Sequence, residues 1–355
     1  MEKAGAALTV IGMPTAHPGM PNHASAMLDV PTGTFDLPPT DQALILVGRL
    51  LVESGYRFTT ITPGAHALVN ARPGNAVATD LREVFGWSRP FRPWLLPPRM
   101  LDLLTAADAV ELAGEHLRSR VRFSTIVDVA GRERLVLHSA FPTTAHDAVF
   151  FGPDTYRFVR LLERALPGGG DLLELGAGSG AAAICLAPRF ASVTMTDINP
   201  LAARWAVVNA ALAELAGAQV AVGDLFAAAP GTFDAIIANP PYMIDATGRW
   251  YRDGGGPLGI ELALRMVAEG VGHLRPGGRL VVYTGTPVVQ GRDRFREAVA
   301  PLLAGLGLDH AYEELDVDVF SEELAQESYQ GIDRIAVVGL TVTTPATGAA
   351  SEDPS

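Results

Sequence analysis

The tetrapeptide Asn239-Pro240-Pro241-Tyr242 closes an apolar run, Phe233 to Ala238, that reads as a buried strand. Its two prolines fix φ and remove two N–H donors, which leaves the carbonyls free to accept. The Asn239 side-chain oxygen and the Pro240 carbonyl can then accept the two hydrogens of a planar –NH2 group. Such a nitrogen is a poor nucleophile because its lone pair is delocalised. Two fixed acceptors turn that lone pair toward an electrophile and stabilise the positive charge that develops. Tyr242 can stack on the flat group. Alignment of the reacting pair supplies most of the remaining acceleration. No strong general base is needed, because the product nitrogen sheds its proton readily.

A second stretch, Asp171-Leu-Leu-Glu-Leu-Gly-Ala-Gly-Ser-Gly180, reads as a buried strand meeting a helix through alternating glycines. Gly176, Gly178 and Gly180, with Ala177 between the first two, let the backbone approach a bound cofactor. An acidic residue is expected about 20 residues on, at the end of the next strand, to hold ribose hydroxyls. Asp197 stands there, followed by Ile198. The glycine spacing fits a nicotinamide dinucleotide loosely. Glu174 favours a different ligand, since a carboxylate there repels a pyrophosphate but suits a sulfonium or ammonium cation.

These residues need a scaffold, and the surrounding pattern supplies one. From residue 150 onward strands and helices alternate, as a doubly wound parallel sheet requires. The expected strands are Leu172–Leu175, Ser192–Asp197, Gln219–Val222, Phe233–Ala238 and Arg279–Tyr283, then an antiparallel pair near Tyr312–Val319 and Ile332–Val342. Helices are expected over Asp154–Leu166, Ala181–Ala187, Pro200–Leu215, Gly259–His273 and Asp293–Leu303. Upstream, Asp41–Ser54 reads as a helix capped by Thr40 or Asp41, Tyr56–Ile61 as a strand and Asp80–Phe85 as a short helix. Pro98–Leu117 reads as one or two helices, and Arg120–Val129 with Arg134–Leu137 as a hairpin. The expected organisation is a flexible arm over residues 1–38, an α+β domain over 39–148, a Rossmann-like α/β domain over 149–342 and a disordered tail over 343–355.

The glycine stretch resembles motif I of class I S-adenosylmethionine (SAM) methyltransferases, whose fold is a seven-stranded Rossmann-like sheet. Residues of about 150–340 resemble the SAM-dependent N-methyltransferases that carry an Asn-Pro-Pro-Tyr motif, and most of all the HemK-like protein-glutamine methyltransferases. Three features carry that likeness: Gly152-Pro-Asp-Thr155, Asn239 to Tyr242, and Gly255-Gly-Pro-Leu-Gly259. The resemblance implies SAM as cofactor. Glu174 and the glycines would hold its methionine part, Asp197 its ribose, and Asp224 with Leu225 its adenine. Asn239, Pro240 and Tyr242 would hold the acceptor amide, with Asn239 bordering both ligands. The arginine usual in the family's lead-in to the first helix is absent, and Phe151-Gly152 stands in its place. The N-terminal part is also longer than in that family.

The acceptor stays open among a protein glutamine, a small metabolite and a nucleic-acid adenine. A methyltransferase fold kept only for binding would need neither an intact tetrapeptide nor Asp197. The net charge of −12 disfavours nucleic acid, which is bound through cationic contacts. No run of 18 apolar residues suggests a membrane span, no secretory signal is evident, and the single cysteine, Cys185, allows no intrachain disulfide. A cytoplasmic enzyme without a metal site is therefore expected. Trp250, Tyr251 and Arg252, in a glycine-containing and so mobile loop, are expected to meet the acceptor, together with the aromatic segment Trp87–Trp94.

Overall fold

The computed structural model describes residues 27–29 and 37–346. Strand β1 (Met27–Asp29) is followed by helices α1 (Pro39–Glu53), α2 (Pro63–Asn70), α3 (Leu81–Phe85) and α4 (Pro98–Ala106). Two antiparallel hairpins follow, β2 (Val110–Ala113) with β3 (His116–Ser119), and β4 (Val121–Val127) with β5 (Glu133–Ser139). Leu44, Ile45, Val47 and Leu51 bury one face of α1 against Phe85, Phe91, Leu104 and Phe123.

The second part begins with α5 (Pro153–Ala165) and strand β6 (Asp171–Leu175), then α6 (Ala181–Leu186), β7 (Ser192–Asp197) and α7 (Pro200–Leu212). Strands β8 (Gln219–Val222) and β9 (Phe233–Ala238), α8 (Glu261–Gly270) and β10 (Leu274–Val289) continue it. It ends with β11 (Arg292–Asp293), α9 (Arg294–Leu306), β12 (Asp309–Asp316) and β13 (Arg334–Thr343). The main sheet runs β1-β8-β7-β6-β9-β10-β13-β12. Strands β8, β7, β6, β9 and β10 are parallel, and β13 enters antiparallel between β10 and β12. This is the Rossmann-like sheet expected from the sequence, with β1 added antiparallel at the β8 edge.

Alternation along the strands builds three layers. Leu172, Ala235, Ile237 and Val281 face α5, α6 and α7. Leu173, Leu175, Ile236 and Leu280 face α8 and α9. Helix α7 is apolar on nearly all sides, the signature of a helix buried between layers. Its Ala203, Ala206 and Val207 meet the sheet, while Ala202, Trp205 and Val208 belong to the core of the N-terminal elements.

Several expectations give way to the structure. Met27–Asp29 is a sheet-edge strand; the rest of the expected arm, residues 1–26 and 30–36, lies outside the described residues. Tyr56–Ile61 forms no strand, although the Phe58 carbonyl accepts the Thr125 N–H of β4 at 2.8 Å. Pro98–Leu117 is helical only to Ala106, and its remainder enters β2 and β3. Asp41 does not cap α1 but bonds Arg204 of α7, with Nε to Oδ1 at 2.7 Å. Strand β10 begins at Leu274, five residues before the expected Arg279, and its register with β9 shifts between Leu274 and Arg279. Thr343 ends β13 and Thr344 bonds the Gly278 carbonyl; residues 347–355 of the expected tail lie outside the described residues.

Asn209 of α7 is fully buried and joins the two parts. Its amide accepts the Leu137 N–H at 2.7 Å and donates to the carbonyls of Leu137 and Ser179, both at 2.9 Å. Asn209→Ala strands three buried backbone groups, each costing about 1–3 kcal/mol where water cannot replace the partner. The expected outcome is a loss of roughly 3 kcal/mol in urea unfolding. A loss within error of zero would show that water takes over these bonds.

Candidate active site

A cavity of about 880 Å3 lies beyond the carboxyl ends of β6, β7, β8 and β9. Glu174, Gly176, Ala177, Gly178, Asp197, Ile198, Asp224, Leu225, Asn239, Pro240 and Tyr242 all line it, as do Trp250, Tyr251 and Arg252. Gly180 does not. It starts α6 at φ +72°, and a Cβ there would stand 2.8 Å from the Met195 sulfur. Its task is close helix–strand packing.

Glu174 is buried, and its Oε2 accepts the Ala183 N–H of α6 at 2.9 Å. Burial pushes its carboxyl up to about 8, and the neighbouring Asp197 adds to the rise. Asp197 accepts the Gly178 N–H on Oδ2 and the Asn199 N–H on Oδ1, both at 2.8 Å. Burial lifts it to about 6, with these backbone donors opposing the rise. Among the described residues neither carboxylate is paired with a basic side chain. A buried and a half-buried acid without a counter-cation fit a ligand that brings a positive charge and hydroxyl donors. Gly178, at φ +55°, leaves open space where a side chain would stand.

Asp224 is held in a bidentate pair by Arg265 of α8, at 3.0 and 2.8 Å, and both residues line the cavity. Arg265 was not legible from the sequence as part of the site.

Asn239 is partly exposed in the cavity, and no side-chain hydrogen bond holds its amide among the described residues. Tyr242 is buried and donates its hydroxyl to Asp154 Oδ2 at 2.5 Å. Asp154 Oδ1 accepts the Tyr283 hydroxyl at 2.8 Å. In the sequence Asp154 reads as a helix-start residue within Gly152-Pro-Asp-Thr155, and its role at the site is hidden because its two tyrosine partners lie 88 and 129 residues away.

On the outer side, the loop after the tetrapeptide meets the segment that follows β5. Tyr251 donates its hydroxyl to the Thr143 carbonyl at 2.8 Å and stacks on Phe150, with centroids 5.6 Å apart. The Trp250 N–H bonds the His146 carbonyl at 3.2 Å, and the two rings meet edge to face. Arg252 pairs with Glu323. Phe141 to His146 and Ala148 to Phe150 border the cavity where Trp87–Trp94 was expected. Trp87 instead packs on Phe58 and His66, and Trp94 is exposed. The loop's Gly254 serves close approach rather than mobility, since a Cβ there would meet the Gly259 and Pro241 carbonyl oxygens at 2.0 and 2.8 Å. Gly152 likewise makes room for the Phe150 ring, which a Cβ would approach to 2.7 Å. That contact accounts for glycine where the resembling family has arginine.

Residues 145–289 match the family model described as methyltransferase small domain. A release factor glutamine methyltransferase from Cereibacter sphaeroides is 32% identical over 247 residues, 65% of this chain and 84% of that protein. One from Koribacter versatilis is 34% identical over 156 residues, 38% of this chain, and the match spans only 55% of that protein. A ribosomal RNA small subunit methyltransferase C from Mannheimia succiniciproducens is 38% identical over 117 residues, 30% of this chain and 31% of that one. The cofactor is accordingly S-adenosylmethionine. No helix among the described residues is long and apolar enough to cross a membrane.

Two outcomes follow for cofactor binding. Asp197→Ala should weaken SAM binding by on the order of 2–3 kcal/mol, the scale of charge-assisted bonds to two hydroxyls. Unchanged affinity in calorimetry would remove the ribose role. The second outcome concerns pH. The Glu174 carboxyl rises from 4.5 to about 8, so its contribution to the stability of the free protein is full below 4.5 and lost as pH rises through 8. Binding of a cation runs the other way, because it needs the carboxylate. SAM affinity should therefore climb between about pH 6 and 8, by up to roughly tenfold per unit, with proton release seen as a buffer-dependent heat. Glu174→Gln should flatten that slope, and a flat slope in the wild type would put Glu174 outside the cofactor's reach.

Proposed function

This chain belongs to the release factor glutamine methyltransferase family of SAM-dependent enzymes, and we propose that it methylates the side-chain amide nitrogen of a protein glutamine. The observation that carries this reading is the Asn239 amide, unbonded among the described residues and set in the cavity with Glu174 and Asp197. The cofactor supplies an electrophilic methyl group on a sulfonium. Glu174 sits as a buried carboxylate for the cationic end, and Asp197, held by backbone N–H donors, offers its carboxylate to the ribose. The glycine loop, tied to Asp197 through Gly178, fixes the distance between the β6 and β7 ends of the site.

On the acceptor side, the Asn239 Oδ1 and the Pro240 carbonyl each take one hydrogen of the glutamine –NH2. This orients the lone pair and stabilises the charge gained on transfer. The Tyr242 ring forms a wall, since its hydroxyl is already committed to Asp154. The Phe150–Tyr251 stack and Trp250 give flat, partly apolar surface for the rest of the acceptor. Residues 141–150 act with them, so the N-terminal part contributes acceptor recognition through this segment. The net charge of −12 favours a protein loop over a nucleic acid.

Tritium transfer from labelled SAM, with a peptide-chain release factor, ribosomal RNA and a metabolite extract offered separately, tests the acceptor. Label should appear in the protein on glutamine; label confined to RNA or to metabolites would replace this reading. Asn239→Ala should lower turnover about 100-fold while SAM affinity stays near wild type, the scale for one charge-stabilising group. A folded variant that keeps most of its turnover would end the role assigned to Asn239.

A further inference from the structure

The methyl-transfer reading leaves one buried group at the site without a task. Asp154 stands in the first turn of α5, outside the cofactor loop and outside the tetrapeptide, yet it is only 5% exposed and borders the cavity. It is the meeting point of three elements. Oδ2 accepts the Tyr242 hydroxyl at 2.5 Å, and Oδ1 accepts the Tyr283 hydroxyl of β10 at 2.8 Å and Arg157 at 3.1 Å. Arg157 reaches on to Asp316 at 2.8 Å.

The Tyr242 ring has little freedom of its own. It lies over Gly285 of β10, where a Cβ would come within 2.1 Å of the ring, so glycine there lets the ring settle on the strand. The backbone of the turn is gripped from the other side. The Met243 carbonyl accepts the Gly254 N–H at 3.0 Å, and Gly259 approaches so closely that a Cβ would meet the Tyr242 carbonyl oxygen at 2.6 Å. One end of the tetrapeptide is therefore fixed through Tyr242, and the other end carries the unbonded Asn239. The two intervening prolines have no N–H and a locked φ, so displacement at Tyr242 passes along a stiff turn to Asn239.

We propose that Asp154 is a positioning residue for methyl transfer: by accepting the Tyr242 hydroxyl it sets the turn that aims the Asn239 and Pro240 acceptors at the reacting nitrogen. It touches neither the cofactor nor the acceptor in this role. Tyr283 and Arg157 hold the carboxylate in turn, which links the lead-in helix α5 and strand β10 to the catalytic turn. The proposal rests on the N-methyltransferase reading, but its geometric part can be measured without any acceptor.

The test compares Asp154→Ala, Asp154→Asn and Tyr242→Phe. An asparagine can still accept from Tyr242 and donate to Tyr283, so it should restore most of what alanine removes. Asp154→Ala and Tyr242→Phe should each lower kcat about 10–100-fold, the cost of misplacing a reacting group by a fraction of an ångström to one ångström, with SAM affinity near wild type. The double variant should be no slower than either single one, since both break the same bond. A purely structural role would instead lower thermal stability and leave kcat per folded molecule unchanged. If Asp154→Ala does not fold, Tyr242→Phe and Asp154→Asn carry the test, and wild-type kcat in Tyr242→Phe overturns the proposal. In SAM-loaded protein labelled at tyrosine Cζ, the Tyr242 carbon resonance should shift or split in Asp154→Ala. That readout stands even if glutamine proves to be the wrong acceptor, and an unmoved resonance overturns the proposal by itself.

Discussion

Two carboxylates with no basic partner among the described residues, the buried Glu174 and the half-buried Asp197, are the constraint around which the site is built. Burial of an unpaired charge is unfavourable, and both acids answer with raised pKa values rather than with ion pairs. Elsewhere the chain pairs its buried or half-buried acids readily, as Asp128 does with Arg134 and Asp245 with Arg249. The exception falls in the cavity at the carboxyl ends of parallel strands. Leaving these two acids unpaired weakens the free protein and reserves their field for a cation from outside. A site of this kind needs a stiff support, because a mobile loop would let water reach the carboxylates.

The support comes from layers rather than from the loops. Helix α7 serves two cores at once, with Ala203, Ala206 and Val207 on the sheet and Trp205 and Val208 on the N-terminal elements. Its Asn209 reaches both the β5 backbone and the Ser179 carbonyl in the glycine loop. The N-terminal elements thus rest on the helix that follows Asp197, and their exit segment, residues 141–150, is delivered to the mouth of the cavity. The mouth of the cavity and its glycine loop therefore share one base.

What could be read beforehand follows a physical divide. The parallel strands and the cofactor loop were legible because their signals are local: Leu172 to Leu175 run straight into glycines, and Asp197 and Asn239 each end an apolar run. The N-terminal part was less legible because its structure rests on distant partners. The short hairpin of β2 and β3 leaves Leu112 exposed, and its partner Phe91 bridges to Leu117 from outside the segment. Tyr56–Ile61 alternates as a strand does, but it finds only isolated bonds to β4 in place of a ladder. Within the site, Asp154 and Arg265 escaped notice for the same reason. Each takes its role from a partner dozens of residues away, which the local pattern, Gly152-Pro-Asp-Thr155 included, does not show.

The acceptor end has a chemical bias that follows from what the chain withholds. Pro240 and Pro241 offer no N–H, and the Tyr242 hydroxyl is spent on Asp154, so the turn presents oxygen acceptors with the Asn239 NH2 as its nearest donor. Around it stand Glu174, Asp197 and Asp224, the last with its charge balanced by Arg265. A phosphate or carboxylate oxygen would meet repulsion there, whereas an amide –NH2 brings two hydrogens to a place that lacks them. The same bias explains why the turn needs no general base. On the proposed reading, a nitrogen that has just gained a methyl group and a positive charge would sit among acceptors and carboxylates that favour loss of its proton, so the field that selects the acceptor would also complete the reaction.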